Sequence, residues 1–269
     1  MVFIGLFLSR KGISIEIFTT NVMFGPLAYL FLALSGIIAI KILQITDKSS
    51  YVSQVSLNQA RIIFGITFLI GFILTISNVI INSNIYYFNF LIIVFVISLG
   101  ILWVFLSYYA FKIKKNRELV KMIIKSLIFS LGILYGALLH SILIPIFVYF
   151  FFLTASFLQL SRELVKDLPK RGKPEEVIIL KKGDDIYNSL KSSLILQFLA
   201  ITFFILPVFT NIAYPILYLF LMIVGVVIIG IASTLSLKSL FERKFFYAIG
   251  VILKIGILIE LLAFILISS

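Results

Sequence analysis

SRELVKDLPKRGKPEEVIILKKGDDIYN, residues 161–188, is the longest polar stretch in a chain that otherwise alternates apolar runs with short connectors. It carries seven cations (Arg162, Lys166, Lys170, Arg171, Lys173, Lys181 and Lys182) and six acids (Glu163, Asp167, Glu175, Glu176, Asp184 and Asp185). A loop of such mixed charge can be no more than a solvated connector. What lies on either side of it decides the fold. In both directions the chain runs into apolar segments of the length that crosses a hydrocarbon core about 30 Å thick, which takes about 20 helical residues.

Across the whole chain of 269 residues, 62% are hydrophobic and 13% charged. Soluble domains carry charge on about a quarter of their residues, so this is an integral membrane protein. Lipid offers no partners to open backbone groups, and the spans lack the polar–apolar alternation of barrel strands, so they are helices. Cysteine is absent, which excludes disulfides, thiol catalysis and Cys-ligated metal. The net charge of +12 would suggest nucleic acid in a soluble protein. Here the cations cluster in connectors, which is what orientation in a membrane requires, and no nucleic-acid partner is expected. No basic region precedes the apolar residues 1–9 and no small-residue cleavage site follows them, so no cleavable signal peptide is expected.

Residues 1–9 would cover only about 13 Å as a helix, so they can enter the core but not cross it. Full spans are predicted at about 21–45, 59–82, 87–111, 119–139, 141–161, 189–210, 213–235 and 245–267. The expectation is one all-α transmembrane domain over 1–269, with eight full transmembrane helices and a short N-terminal half-helix that caps the bundle beside a lipid or partner subunit. Charge sorts the connectors. Lys112, Lys114, Lys115, Arg117 and Lys121 crowd one, the long loop holds seven cations, and Lys238, Arg243 and Lys244 mark a third. These should be cytoplasmic in a multi-pass protein of the cell membrane. The connectors near 83–87, His140 and 210–213 hold no Lys or Arg and should face outward.

Four stretches carry a family resemblance: RELVKDLPKRGKPEEVIIL at 162–180, SYYAFKIKKNRELVKMIIKSLIFSLGILYGAL at 107–138, VSLNQARIIFG at 55–65, and FERKFFYAIGVILKIGILIELLAF at 241–264. Together they resemble the UbiA superfamily of intramembrane prenyltransferases, a helical bundle with aspartate-rich motifs at the cytoplasmic ends of its second and sixth helices. The resemblance implies a UbiA-like bundle with a mainly apolar cavity open toward the cytoplasm. A membrane lipid or isoprenoid chain would lie between its helices. The head group would meet Lys41, Tyr109, Lys112, Arg162, Lys166 and Asp167. In that family, carboxylate clusters hold Mg²⁺ ions that bridge a prenyl diphosphate and help its allylic carbon ionise.

This sequence departs from the family where the metals would bind. In IKILQITDK, residues 40–48, Ile40 and Lys41 replace the Asn-Asp pair and Gln44 the next Asp, leaving Asp47. In the second motif Asp167 remains, while Arg171 stands where another Asp is expected. The resemblance sets Lys41 and Asp167 facing each other across the cytoplasmic opening, where an ammonium would repel a divalent cation. No cofactor is therefore expected, and Mg²⁺ only if the chain is an active prenyltransferase. Two alternatives stay open beside a lipid-binding protein that has lost transfer: an active enzyme that moves an isoprenoid onto a lipid or aromatic acceptor, and a noncatalytic subunit of a membrane complex. No catalytic residue can be assigned.

Other residues admit structural readings. Lys254 and Glu260 lie within the last span, where ionisable groups face a cavity or partner, or else snorkel. They are six residues apart, about 240° around a helix, and do not pair within it. Asp184 and Asp185 suit a turn or cap before the span at 189. His140 suits an interfacial turn. No inverted repeat or broken-helix pair suggests a transporter.

Overall fold

The computed structural model describes residues 1–2, 6, 15–45, 56–83, 90–112, 117–140, 144–166, 168, 185–210, 215–240 and 245–268. Among them run eight α-helices: α1 Ile15–Ile45, α2 Leu57–Ser83, α3 Phe90–Lys112, α4 Arg117–His140, α5 Ile146–Lys166, α6 Asp185–Ile205, α7 Pro215–Ser239 and α8 Phe246–Ser268. A 3₁₀ turn, Leu206–Phe209, follows α6 with Pro207 inside it. Each helix falls on one of the apolar runs expected to be helical. Bounds differ at the ends: α1 begins at Ile15 rather than about 21, and α5 is shifted to Ile146–Lys166 from about 141–161.

Among the described residues six stretches are long and apolar enough to cross a membrane: Thr20–Ile42, Leu57–Asn82, Leu119–Leu139, Ile186–Phe209, Ile216–Ser239 and Phe246–Phe264. In α3 a shorter apolar stretch, Phe90–Leu106, stands out. The last two turns of α5 hold Gln159, Ser161, Arg162, Glu163 and Lys166, which dilute its apolar length.

Contacts gather the helices into two compact units, Met1–Pro145 and Ile146–Ser269. In the first unit α1 packs on α2, α3 and α4, and α3 packs on α4. A β-carbon on Gly71 would lie 2.9 Å from Leu32 Cγ, so this glycine is what lets α2 approach α1 closely. Polar pins fix their register. Asn21 Oδ1 accepts from Asn78 Nδ2 at 2.8 Å and Asn82 Nδ2 at 2.9 Å, and Asn21 Nδ2 donates to Leu139 O at 3.2 Å. Near the middle, Tyr29 OH donates to Ile128 O at 2.7 Å, and the hydroxyls of Thr75 and Tyr135 lie 2.9 Å apart. Such bonds average about 0.6 kcal/mol in membrane bundles, so their weight is in specifying register.

Val2 and Leu6 are helical and buried. They lie on α4 at the Gly132–x₃–Gly136 ridge, where a β-carbon on Gly136 would be 2.9 Å from Leu6 N and one on Gly132 would be 2.8 Å from Met1 Cβ. The rest of the expected half-helix at 1–9 lies outside the described residues.

In the second unit α5 packs between α6 and α8, and α7 packs on α6 and α8, closing a ring of four. Buried Phe151, Ala155 and Leu158 mark the inward stripe of α5 at the three-and-four spacing of a helix face. Phe151, Phe204, Tyr218 and Phe264 form an aromatic cluster away from the polar end of α5.

Candidate functional site

The polar end of α5 is built on Glu163. Its carboxylate is buried, and Oε1 lies 3.7 Å from Arg162 Nη1 and 4.0 Å from Lys166 Nζ. Gln159, one turn earlier on the same face, reaches the same oxygen with its amide at 3.5 Å. Two of the sequence-selected residues, Arg162 and Lys166, are thus brought together, and the group that gathers them was not among those selected. The spacing Gln159, Glu163, Lys166 was a usable signal, since steps of four and three place all three on one side of a helix. Together Arg162, Glu163 and Lys166 carry one net positive charge.

Directly beneath lies a buried polar ladder that sequence reasoning passed over. Ser161 and Ser193 hydroxyls meet at 2.7 Å, joining α5 to α6. Gln197 Nε2 lies 3.2 Å from Ser161 Oγ, 3.1 Å from Ser193 Oγ and 3.2 Å from Ser236 Oγ, while its Oε1 accepts from Ser233 Oγ at 2.9 Å. An amide has two N–H groups, so at most two of the three oxygens are served at once. The ladder ties α5, α6 and α7 together just where α5 turns polar. Its trace in the sequence is the spacing of Ser193 with Gln197 and of Ser233 with Ser236.

In the first unit Lys41 sits one turn before the end of α1 and is exposed. Tyr109 and Lys112 fall in the last turn of α3, and their side chains lie outside the described residues, as do Asp47, Asp167, Arg171 and Asp184. Among the described residues no group of three or more His, Cys, Asp or Glu side chains could hold a metal ion. An apolar groove of about 740 Å³ runs between α2 and α3, lined by Phe64, Phe68, Phe72, Ile97, Gly100 and Ile101 among others.

In the last span, Lys254 is exposed and Glu260 is fully buried, so the two do not form a pair.

A helical, multi-pass membrane protein of UbiA-like fold is what this architecture amounts to. No protein-family model and no curated protein matches the sequence. Among solved structures the chain is similar to digeranylgeranylglyceryl phosphate synthase, a UbiA-superfamily prenyltransferase studied in membranes. The likeness has a TM-score of 0.67 at 23% identity and covers 99% of this chain and 91% of that one. At this identity it speaks for the fold.

Proposed function

We propose that this chain binds an isoprenoid or other lipid through a UbiA-like bundle, and that Mg²⁺-dependent prenyl transfer has been lost from it. The observation that carries the reading is Glu163 held between Arg162 and Lys166 at the end of α5, in a chain whose fold is like that of a prenyltransferase. A bound metal would neutralise the leaving diphosphate and help the allylic carbon ionise. Hard divalent cations need several oxygen ligands, and among the described residues the end of α5 offers the single carboxylate of Glu163 beside two cations. Arg162 and Lys166 suit an anionic head group directly: an ammonium acts as a point charge, and a guanidinium can grip a phosphate with two parallel bonds. Asp167, by the resemblance, is the last carboxylate of the second motif.

The test is a transfer assay with allylic diphosphates of several lengths, with and without Mg²⁺, beside Asp167→Asn. The expected result is no turnover above a protein-free control in any arm, together with an isoprenoid-bearing lipid in extracts of the purified protein. Metal-dependent turnover that Asp167→Asn abolishes would overturn the reading in favour of an active prenyltransferase.

The same reading places the protein in the cell membrane with the loops at 112–121, 162–188 and 236–244 on the cytoplasmic side, because their cations are retained there. The absence of cysteine makes the check clean. Single substitutions Lys115→Cys, Lys173→Cys and Glu242→Cys are expected to resist a membrane-impermeant maleimide added to intact cells, whereas Asn84→Cys reacts. Labelling of any of the first three from outside would reverse the orientation.

A further inference from the structure

The geometry points to a seat for an anionic phospholipid on the first unit, with one hydrocarbon chain in the α2–α3 groove and its phosphate on Arg61. This goes beyond the proposed function, since it uses neither motif.

The groove is apolar throughout and opens away from the helices of its own unit, for Leu69, Ile101, Val104 and Phe105 along it are all exposed. Its α2 wall is a ladder of rings. Phe64 stacks on Phe68 with centroids 6.3 Å apart and planes 9° from parallel, and Phe68 stacks on Phe72 at 6.4 Å and 11°. On α3 the facing position is Gly100, where a β-carbon would come within 2.7 Å of the Phe68 ring. The glycine therefore lets that ring lie against α3 and leaves the groove open beside it. A volume near 740 Å³ is of the size that holds a single flexible ligand.

Charge stands at one end only. Successive helical residues rotate by about 100°, which brings Arg61 within about 20° of the azimuth of both Phe68 and Phe72. The start of α2 is set by a reciprocal cap, with Ser56 N donating to Gln59 Oε1 at 2.9 Å and Gln59 N donating to Ser56 Oγ at 3.2 Å. Arg61 is therefore about one turn inside the helix, near the start of the apolar stretch Leu57–Asn82. It is exposed and makes no ion pair among the described residues. At about 1.5 Å per residue, the distance from Arg61 to the level of Phe72 is about 16 Å. One leaflet of the hydrocarbon core is about 15 Å deep. A guanidinium above an apolar slot one leaflet deep matches a lipid with a phosphate at one end and a single chain beneath it. The second chain would stay in the bilayer.

Native mass spectrometry of the purified full chain tests this, using dioleoylphosphatidylglycerol and dioleoylphosphatidylcholine at equal concentration. The wild type is expected to retain one phosphatidylglycerol in preference. Arg61→Gln should lower that preference about tenfold, or about 1.4 kcal/mol, because the phosphate loses its charge-assisted partner. Ile101→Trp, and independently Leu69→Trp, should abolish retention of both lipids by filling the groove from its open side, whereas Ile216→Trp in the second unit should change nothing. The proposal is overturned if the wild type shows no preference, if Arg61→Gln keeps it, or if both groove-filling variants still retain lipid. Displacement of the phospholipid by geranylgeranyl phosphate at equal concentration would overturn it in favour of an isoprenoid occupant.

Discussion

Gly136→Ala is expected to lower the melting temperature of the purified protein, against the direction that helix propensity alone would give. Alanine is favoured over glycine within a helix by about 0.8–1.0 kcal/mol. At Gly136, however, the added carbon would fall on Val2 O, 2.9 Å from Leu6 N and 3.0 Å from Val2 C, all backbone atoms that cannot swing aside as a side-chain tip can. Overpacking of this kind costs about 1–3 kcal/mol, enough to reverse the propensity gain, and Gly136→Val should cost more. Gly65→Ala and Gly230→Ala are the controls. Nothing lies within 4 Å of a β-carbon at either, so both should melt at or above the wild-type temperature. A second readout separates local displacement from general weakening. Leu6 is fully buried, and Leu6→Cys in this cysteine-free chain should react slowly with a maleimide, and much faster once Gly136→Ala is added. Equal or higher stability of Gly136→Ala would mean that Val2 and Leu6 do not pack on α4 in this way.

That contact shows where sequence reading reached its limit. Helices were legible because a membrane span is declared by length and apolarity alone: the run expected at 59–82 is Leu57–Ser83 in the structure, and that expected at 87–111 is Phe90–Lys112. The residue pairs that join helices were not. GILYG at 132–136 presents two glycines four apart, but nothing in the sequence says that Met1, Val2 and Leu6 rather than another helix press on them. Glu163 was visible as one acid in a mixed-charge loop. Its pairing with Arg162 and Lys166 follows only once α5 is known to continue to Lys166. The Gln197 ladder hid for a related reason. Isolated Ser and Gln residues in apolar runs look like tolerated neutral positions until three helices bring them together. The α2–α3 groove depends on a ring and a glycine on different helices, Phe68 and Gly100, which no local pattern connects. Division into two compact units likewise arises from packing and left no mark on composition.

Replacement of Glu260 by methionine should stabilise the protein. Glu260 lies about two-thirds of the way along α8 and is fully buried, and among the described residues neither carboxyl oxygen has a hydrogen-bond partner. The neighbouring Tyr218 hydroxyl has a single proton and donates it to Phe204 O. An unsatisfied polar group in such a place costs about 1–3 kcal/mol, whereas an apolar side chain of similar length and flexibility would fill the same space without it. At this chain length each kcal/mol is worth about 2–4 °C, so Glu260→Met should raise the melting temperature by several degrees. Glu260→Gln is the informative companion, because an amide keeps the shape and leaves its own donors and acceptor unmatched. It should bring no comparable gain. Intramembrane carboxyls that face a pathway or partner behave in the opposite way, since they are retained at a cost because they do something. If Glu260→Met melts below the wild type while Glu260→Gln does not, the carboxyl is satisfied by a group beyond the described residues, and Glu260 belongs to a site rather than to a flaw in the packing.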